Sequence, residues 1–212
     1  CKVENFVRVL DMKTGLLHRT FTATLPDGKK VAVDARRFCS MADGEIGAIR
    51  YQITALNFSG TIIITLSVDA DVVNKDSNYD EKFWDEVHNE VQPGSAIVTA
   101  QTRKTFFHVT TAMTYKIESG GKSVIAKVST NTREKYADNV VQTELKQDTP
   151  LVIYKYAAVL SSENHVKGKM VEHAQAKLAE AVAAGFDVLF EKHAKVWAHK
   201  WEECDITIDG DV

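Results

Sequence analysis

Residues 105–117 read TFFHVTTAMTYKI, and their strict two-residue period constrains the fold more than any other feature of the chain. Phe107, Val109, Thr111, Met113 and Tyr115 fall on one face. Phe106, His108, Thr110, Ala112 and Thr114 fall on the other, which is more polar. A β-strand sends successive side chains to opposite faces, and β-branched and aromatic residues fill that pleated surface well. The same texture recurs in NFVRVL, GLLHRTFTATL, KKVAVD, AIRYQITAL, TIIITLSV, SAIVTAQT, SVIAKV, NVVQTEL and LVIYKYAAVL. Pro26-Asp27-Gly28 and Ser119-Gly120-Gly121-Lys122 read as tight turns between such segments. So many strands joined by short turns, with no intervening helix, predict an antiparallel β-sandwich over residues 1–162. Within it, Asp69 to Val91 is polar and turn-rich. It reads as a long loop with a short helical turn, on which Trp84 either pins the loop to the sheet edge or offers a stacking surface.

After residue 162 the period changes. Lys167 to Lys200 is rich in helix formers, with Val171, Ala174, Leu178 and Val182, then Phe186, Leu189, His193, Trp197 and Trp201, at helical spacing. Gly185 reads as a C-terminal cap and Asp187 as the start of a second helix. The region 163–212 is therefore a two-helix C-terminal linker, each helix of ~15 residues and ~23 Å. Its apolar stripes need a partner surface, either the sandwich or another domain.

The formal net charge of -3, without an arginine-rich stripe, argues against nucleic acid. The apolar runs are too short to span a bilayer. The three cysteines, Cys1, Cys39 and Cys204, lie too far apart for a disulfide framework or a zinc site. They lean towards a reducing, cytoplasmic setting. Asn57-Phe58-Ser59 matches an N-glycosylation pattern inside a strand-like stretch, where it carries no weight.

The chain contains no HExxH, no phosphate-binding glycine loop and no nucleophile elbow. Its seven histidines are scattered. His193, Trp197 and Trp201 share one helix face, which reads first as packing and second as an aromatic border for a sugar. Trp84, Trp197 and Trp201 are accordingly the candidate carbohydrate-facing residues. Asp205, Asp209 and Asp211 could approach the ~5 to 9.5 Å spacing of glycosidase carboxylates. A solvated chain end looks the same, and no catalytic residue is assigned. Lys13-Thr14-Gly15 and Arg36-Arg37 could hold anions, although a solvated turn and a strand edge explain them more simply.

Several phrases together resemble the N-terminal domain and linker of glycoside hydrolase family 65. They are LDMKTGLLHRTF at 10–21, RRFCSM at 36–41, IRYQITALNFSGTIIITLSVDADVVN at 49–74 and the tail AAGFDVLFEKHAKVWAHKWEECDITIDGD. The segments between 92 and 160 share only strand character with it. The resemblance implies a supersandwich of the galactose-mutarotase kind, joined by the helical linker to a catalytic (α/α)6 barrel. It implies a parent enzyme acting on α-linked glucose disaccharides such as maltose, trehalose or kojibiose. In that family inorganic phosphate, a co-substrate, attacks the anomeric carbon with inversion to give β-glucose 1-phosphate, without a metal or other cofactor. The W-x3-W-x3-D-I-x-I-x-G-D pattern falls on Trp197, Trp201, Asp205, Ile206, Ile208, Gly210 and Asp211, the stretch that leads into the barrel. The family's early strands and its barrel are not matched, so this chain reads as a non-catalytic piece. Its open sheet edges would be covered by further strands or by a second copy, as in a homodimer. The contrasting expectation is a free-standing carbohydrate-binding or protein-interaction sandwich.

Overall fold

A computed structural model describes residues 1–73, 82–206 and 210. The strands run β1 (Lys2–Asp11), β2 (Leu16–Thr24), β3 (Lys30–Cys39), β4 (Ile46–Ala55), β5 (Gly60–Asp69), β6 (Trp84–Gln92), β7 (Ser95–Thr102), β8 (His108–Ser119), β9 (Lys122–Ser123), β10 (Lys127–Arg133), β11 (Tyr136–Leu145) and β12 (Leu151–Ser161). A short 3-10 turn, Lys167–Lys169, leads into helix α1 (Met170–Cys204). The large sheet has the order β1-β2-β3-β4-β12-β8-β7-β6, with β9 added to β8; β10-β11-β5 forms a second sheet. Every strand pairing is antiparallel. The predicted sandwich with a helical tail is the observed architecture.

Strand β8 serves two cores. On β8, Met113 and Ile117 join Leu66, Val68, Val98, Val141, Leu145, Leu151 and Ile153 between the two sheets. The opposite side of the same strand was read as its more polar face. There Ala112 joins Phe38, Ile46, Ile97, Tyr156 and Leu160 beneath α1. Its hydroxyls are satisfied in place, since Thr110 hydrogen-bonds Thr99 at 2.8 Å. The tail thus folds back onto the sandwich and forms a third layer. Met170, Ala174, Leu178 and Ala181 are its buried stripe, followed by Phe186 and His193. Val171 and Val182, expected in that stripe, lie on its margin.

The helix is kinked at Gly185, whose φ of 80° and ψ of 165° are non-helical. That is the junction the sequence predicts between two helical segments, and glycine takes this conformation without a Cβ penalty. Close by, Lys116 Nζ donates to the Val182 carbonyl at 3.2 Å. Before the kink, Lys177 reaches Asp43 at 2.8 Å and Glu45 at 3.1 Å, while His165 contacts Glu45 at 2.6 Å. Burial pushes the Glu45 carboxyl up, but hydrogen bonds from His165 and Lys177 outweigh it and hold it below the usual range.

Two readings change. The segment Asp69 to Val91 is not one long loop with a helical turn, because Trp84–Gln92 pairs along β7 as β6. Its charged and amide-rich sequence, WDEVHNEVQ, hides the alternation. The strand lies at a sheet edge, where polar side chains are at home. Residues 74–81 of that segment lie outside the described ones. Asn57 is not within a strand; it sits between β4 and β5, accepting from Lys30 N at 2.8 Å and donating to the Gly28 carbonyl at 3.0 Å.

The smaller sheet lies over β6, β7 and β8. It leaves β1 exposed along its whole length and the outer part of the large sheet uncovered by described strands. No helix among the described residues is long and apolar enough to cross a membrane.

A candidate interdomain junction

The second half of α1 crosses the large sheet towards the turn between β1 and β2. Asp11 builds that turn by accepting Lys13 N at 3.0 Å and Thr14 N at 3.3 Å, and Thr14 Oγ1 donates to it at 2.7 Å. The backbone groups read as a candidate anion binder are therefore filled by the chain's own carboxylate. The turn offers two carbonyls to the helix. Trp201 Nε1 donates to the Met12 carbonyl at 3.0 Å, and His193 Nε2 lies 3.3 Å from the Gly15 carbonyl.

His193 is the centre of the junction, 1% exposed. Its Nδ1 accepts the Met41 N–H at 3.0 Å, so Nδ1 carries no proton and Nε2 is the donor to Gly15. Its ring stacks on Phe38 at 4.8 Å and meets Trp197 edge-on at 6.4 Å. Burial lowers its pKa, partly opposed by the backbone contacts to Gly15 and Thr14. The neutral imidazole is the form that this set of partners fits. Trp197 and Trp201 stack at 6.4 Å with 28° between their planes. Gly15 has φ +66°, and a Cβ there would lie 2.1 Å from Trp197 Nε1 and 2.7 Å from His193 Nε2. The glycine lets the turn press directly against both rings. The indole N–H of Trp197, held edge-on to it, has no acceptor among the described residues.

Three phrases of the sequence thus meet at one place: MKTG in the turn, FCSM at the end of β3, and His193, Trp197 and Trp201 on the helix. Trp84 is not part of this group. It stands half-buried at the start of β6, opposite Thr102, and β6 and β1 are the two ends of the large sheet. Asp205 is exposed and caps the helix, its N–H donating to the Trp201 carbonyl at 2.9 Å. Asp209 and Asp211 lie outside the described residues. Among the described residues no group of His, Cys, Asp and Glu side chains could hold a metal ion. The part that sequence reasoning missed is the Met41 N–H to His193 bond, which joins positions far apart in the chain.

Residues 1–200 match the profile of the glycosyl hydrolase family 65 N-terminal domain. The chain belongs to that family. Among curated relatives of this family 65 domain, maltose phosphorylase of Bacillus subtilis is 28% identical, the match covering 99% of this chain and 27% of that protein. Kojibiose phosphorylase of Caldanaerobacter subterraneus is also 28% identical, across 100% of this chain and 28% of that protein. Alpha,alpha-trehalose phosphorylase of Thermoanaerobacter brockii is 24% identical, across 99% and 28%. The family 65 domain therefore spans little more than a quarter of the length of these relatives. A solved structure, a putative kojibiose phosphorylase from the human microbiome, shares its fold with a TM-score of 0.82, covering 95% of this chain and 25% of that one at 22% identity.

Proposed function

We propose that this chain is the non-catalytic N-terminal and linker region of a family 65 enzyme acting on α-linked glucose disaccharides. Residues 1–162 serve as the sandwich domain and 163–212 as the linker that carries an (α/α)6 barrel. The parent reaction is phosphorolysis with inversion to β-glucose 1-phosphate, with a small-molecule disaccharide and phosphate as substrates. The observation that carries this reading is the junction itself. Helix α1 is fixed to the sandwich at both halves, by Lys177 before the kink and by His193 and Trp201 after it, while His165 ties the turn ahead of the helix to Glu45. A helix held at several points transmits a fixed orientation to whatever it joins. The phosphorylase names of the relatives supply the reaction.

Trp197 and Trp201 act in this proposal as packing anchors. Trp201 spends its N–H on Met12, the two indoles stack on each other, and Trp197 meets His193 edge-on. The test has two arms. With maltose, trehalose or kojibiose and phosphate, the chain is expected to release no glucose 1-phosphate above a heat-denatured sample. Titration with the same disaccharides is expected to leave its tryptophan fluorescence unchanged. Turnover would overturn the non-catalytic assignment. A saturable fluorescence shift that disappears in a folded Trp201→Ala variant would establish the carbohydrate-binding reading in its place.

A further inference from the structure

Helix α1 changes direction at Gly185, and the sheet beneath it supplies what the change takes away. A helical bond runs from each N–H to the carbonyl four residues earlier. The bond from the Phe186 N–H to the Val182 carbonyl spans Gly185. With Gly185 at φ 80° and ψ 165°, the peptide that carries this N–H is turned out of the helical direction, so both groups lose their helical partner. Backbone groups left unpaired beside a core are costly. A conformation open almost only to glycine therefore needs compensation from outside the helix.

Two side chains of the large sheet provide it. Lys116 on β8 stands directly opposite Tyr154 on β12, and Tyr156 lies two residues along β12 on the same face. Helix α1 packs on that face. Lys116 Nζ donates to the Val182 carbonyl at 3.2 Å. Tyr156 is 2% exposed and shares its core with Phe186. Its hydroxyl meets the Phe186 backbone N–H, which partly opposes the rise in its pKa caused by burial and by Tyr154. The two groups of one broken helical bond are thus each given a partner by adjacent strands. Phe186 itself meets Phe38 edge-on, with ring centroids 5.3 Å apart. A Cβ at Gly185 would find nothing within 4 Å, so the backbone angle and not crowding requires glycine here.

Glycine can also take helical angles, and a straight α1 would restore the lost bond. The straight form would direct residues 186–204 away from Phe38 and from the backbone of Met12 and Met41, which hold them in the bent form. We infer that Lys116 and Tyr156 are positioning residues that hold the bend of α1 and thereby set the direction in which the chain leaves the sandwich. Lys116 serves the carbonyl side of the break and Tyr156 the N–H side. The device works within this chain alone, whatever reaction the parent performs.

The test is the distance between two spin labels on α1, measured by pulsed electron paramagnetic resonance on the whole chain. The labels sit on Cys204 and on Glu172→Cys, both exposed positions, with Cys1→Ser and Cys39→Ser removing the other thiols. From residue 172 to residue 204 an unbroken helix rises ~48 Å. The native chain is expected to give one narrow distribution centred below that length. Lys116→Met and Tyr156→Phe are each expected to broaden it, and the double variant to add a population near the unbroken length. Lys116→Arg, which keeps a donor, is expected to preserve the native distribution, as is Lys122→Met on the exposed β9. Urea unfolding of each variant separates loss of the bend from loss of the fold. The assignment is overturned if both single variants and the double variant keep the native distribution, or if Lys122→Met or Lys116→Arg broadens it as much as Lys116→Met does.

Discussion

Replacing Gly15 with alanine is expected to destabilise the chain by about 3 kcal/mol, a large effect for a single methyl group. Two causes add. The backbone at Gly15 has φ +66°, a region where any Cβ meets its own backbone. The new methyl would also lie 2.1 Å from Trp197 Nε1 and 2.7 Å from His193 Nε2. Neither ring can turn away cheaply. Trp197 is stacked on Trp201, and His193 is held on one side by Phe38 and at Nδ1 by Met41. The turn must then lift from the helix, which breaks the Trp201 to Met12 hydrogen bond. Urea unfolding followed by tryptophan emission measures both consequences, a lower midpoint and a red-shifted native spectrum. A loss below 0.5 kcal/mol with an unchanged spectrum would falsify the junction as the point that fixes the helix.

β8 was legible because it alternates, and because both of its faces are covered by apolar partners in the folded chain. β6 was not, because WDEVHNEVQ lies at an edge and its two faces are not both apolar. The kink at Gly185 was legible from a glycine between two amphipathic runs. The burial of the helix was only half legible: a stripe shows that a partner exists but does not name it. The partner turned out to be the sheet face carrying Phe38, Ile46, Ala48 and Tyr156. The junction combined both situations. The spacing of His193, Trp197 and Trp201 gave one helix face. Nothing in MKTG or FCSM showed that Gly15 and Met41 would approach it, because hydrogen bonds between backbone and a distant side chain leave no periodic trace. The faces of adjacent arginines were hidden for a related reason. Arg36-Arg37 looks like one dipeptide, but the strand sends the two side chains to opposite faces, only Arg36 reaching Asp34.

Replacing His193 with alanine is expected to cost about 3 to 4 kcal/mol, from the lost ring volume at a fully buried site and the stranded Met41 N–H. His193→Gln is the informative companion, since its amide can accept from Met41 and donate towards Gly15 without titrating. It is expected to recover at least half of the loss. The histidine also gives the junction a pH dependence whose sign follows from its lowered pKa. The unfolded chain takes up a proton near the ordinary histidine value of 6.5, while the folded chain resists it. Stability is therefore fully present above 6.5 and falls as the pH drops from there towards the lower folded value. His108, whose pKa burial and Lys167 also lower, contributes a slope of the same sign. Asp43 and Glu45, held below their ordinary values of 3.8 and 4.5, lose their contribution only in more acid solution. Urea midpoints measured from pH 7.5 to 5 should thus decline in the native chain and decline less steeply in His193→Gln, the residual slope belonging to His108. Identical slopes in the two proteins would mean that His193 binds its proton equally well folded and unfolded. That outcome is incompatible with a neutral ring locked between Met41, Gly15 and Phe38.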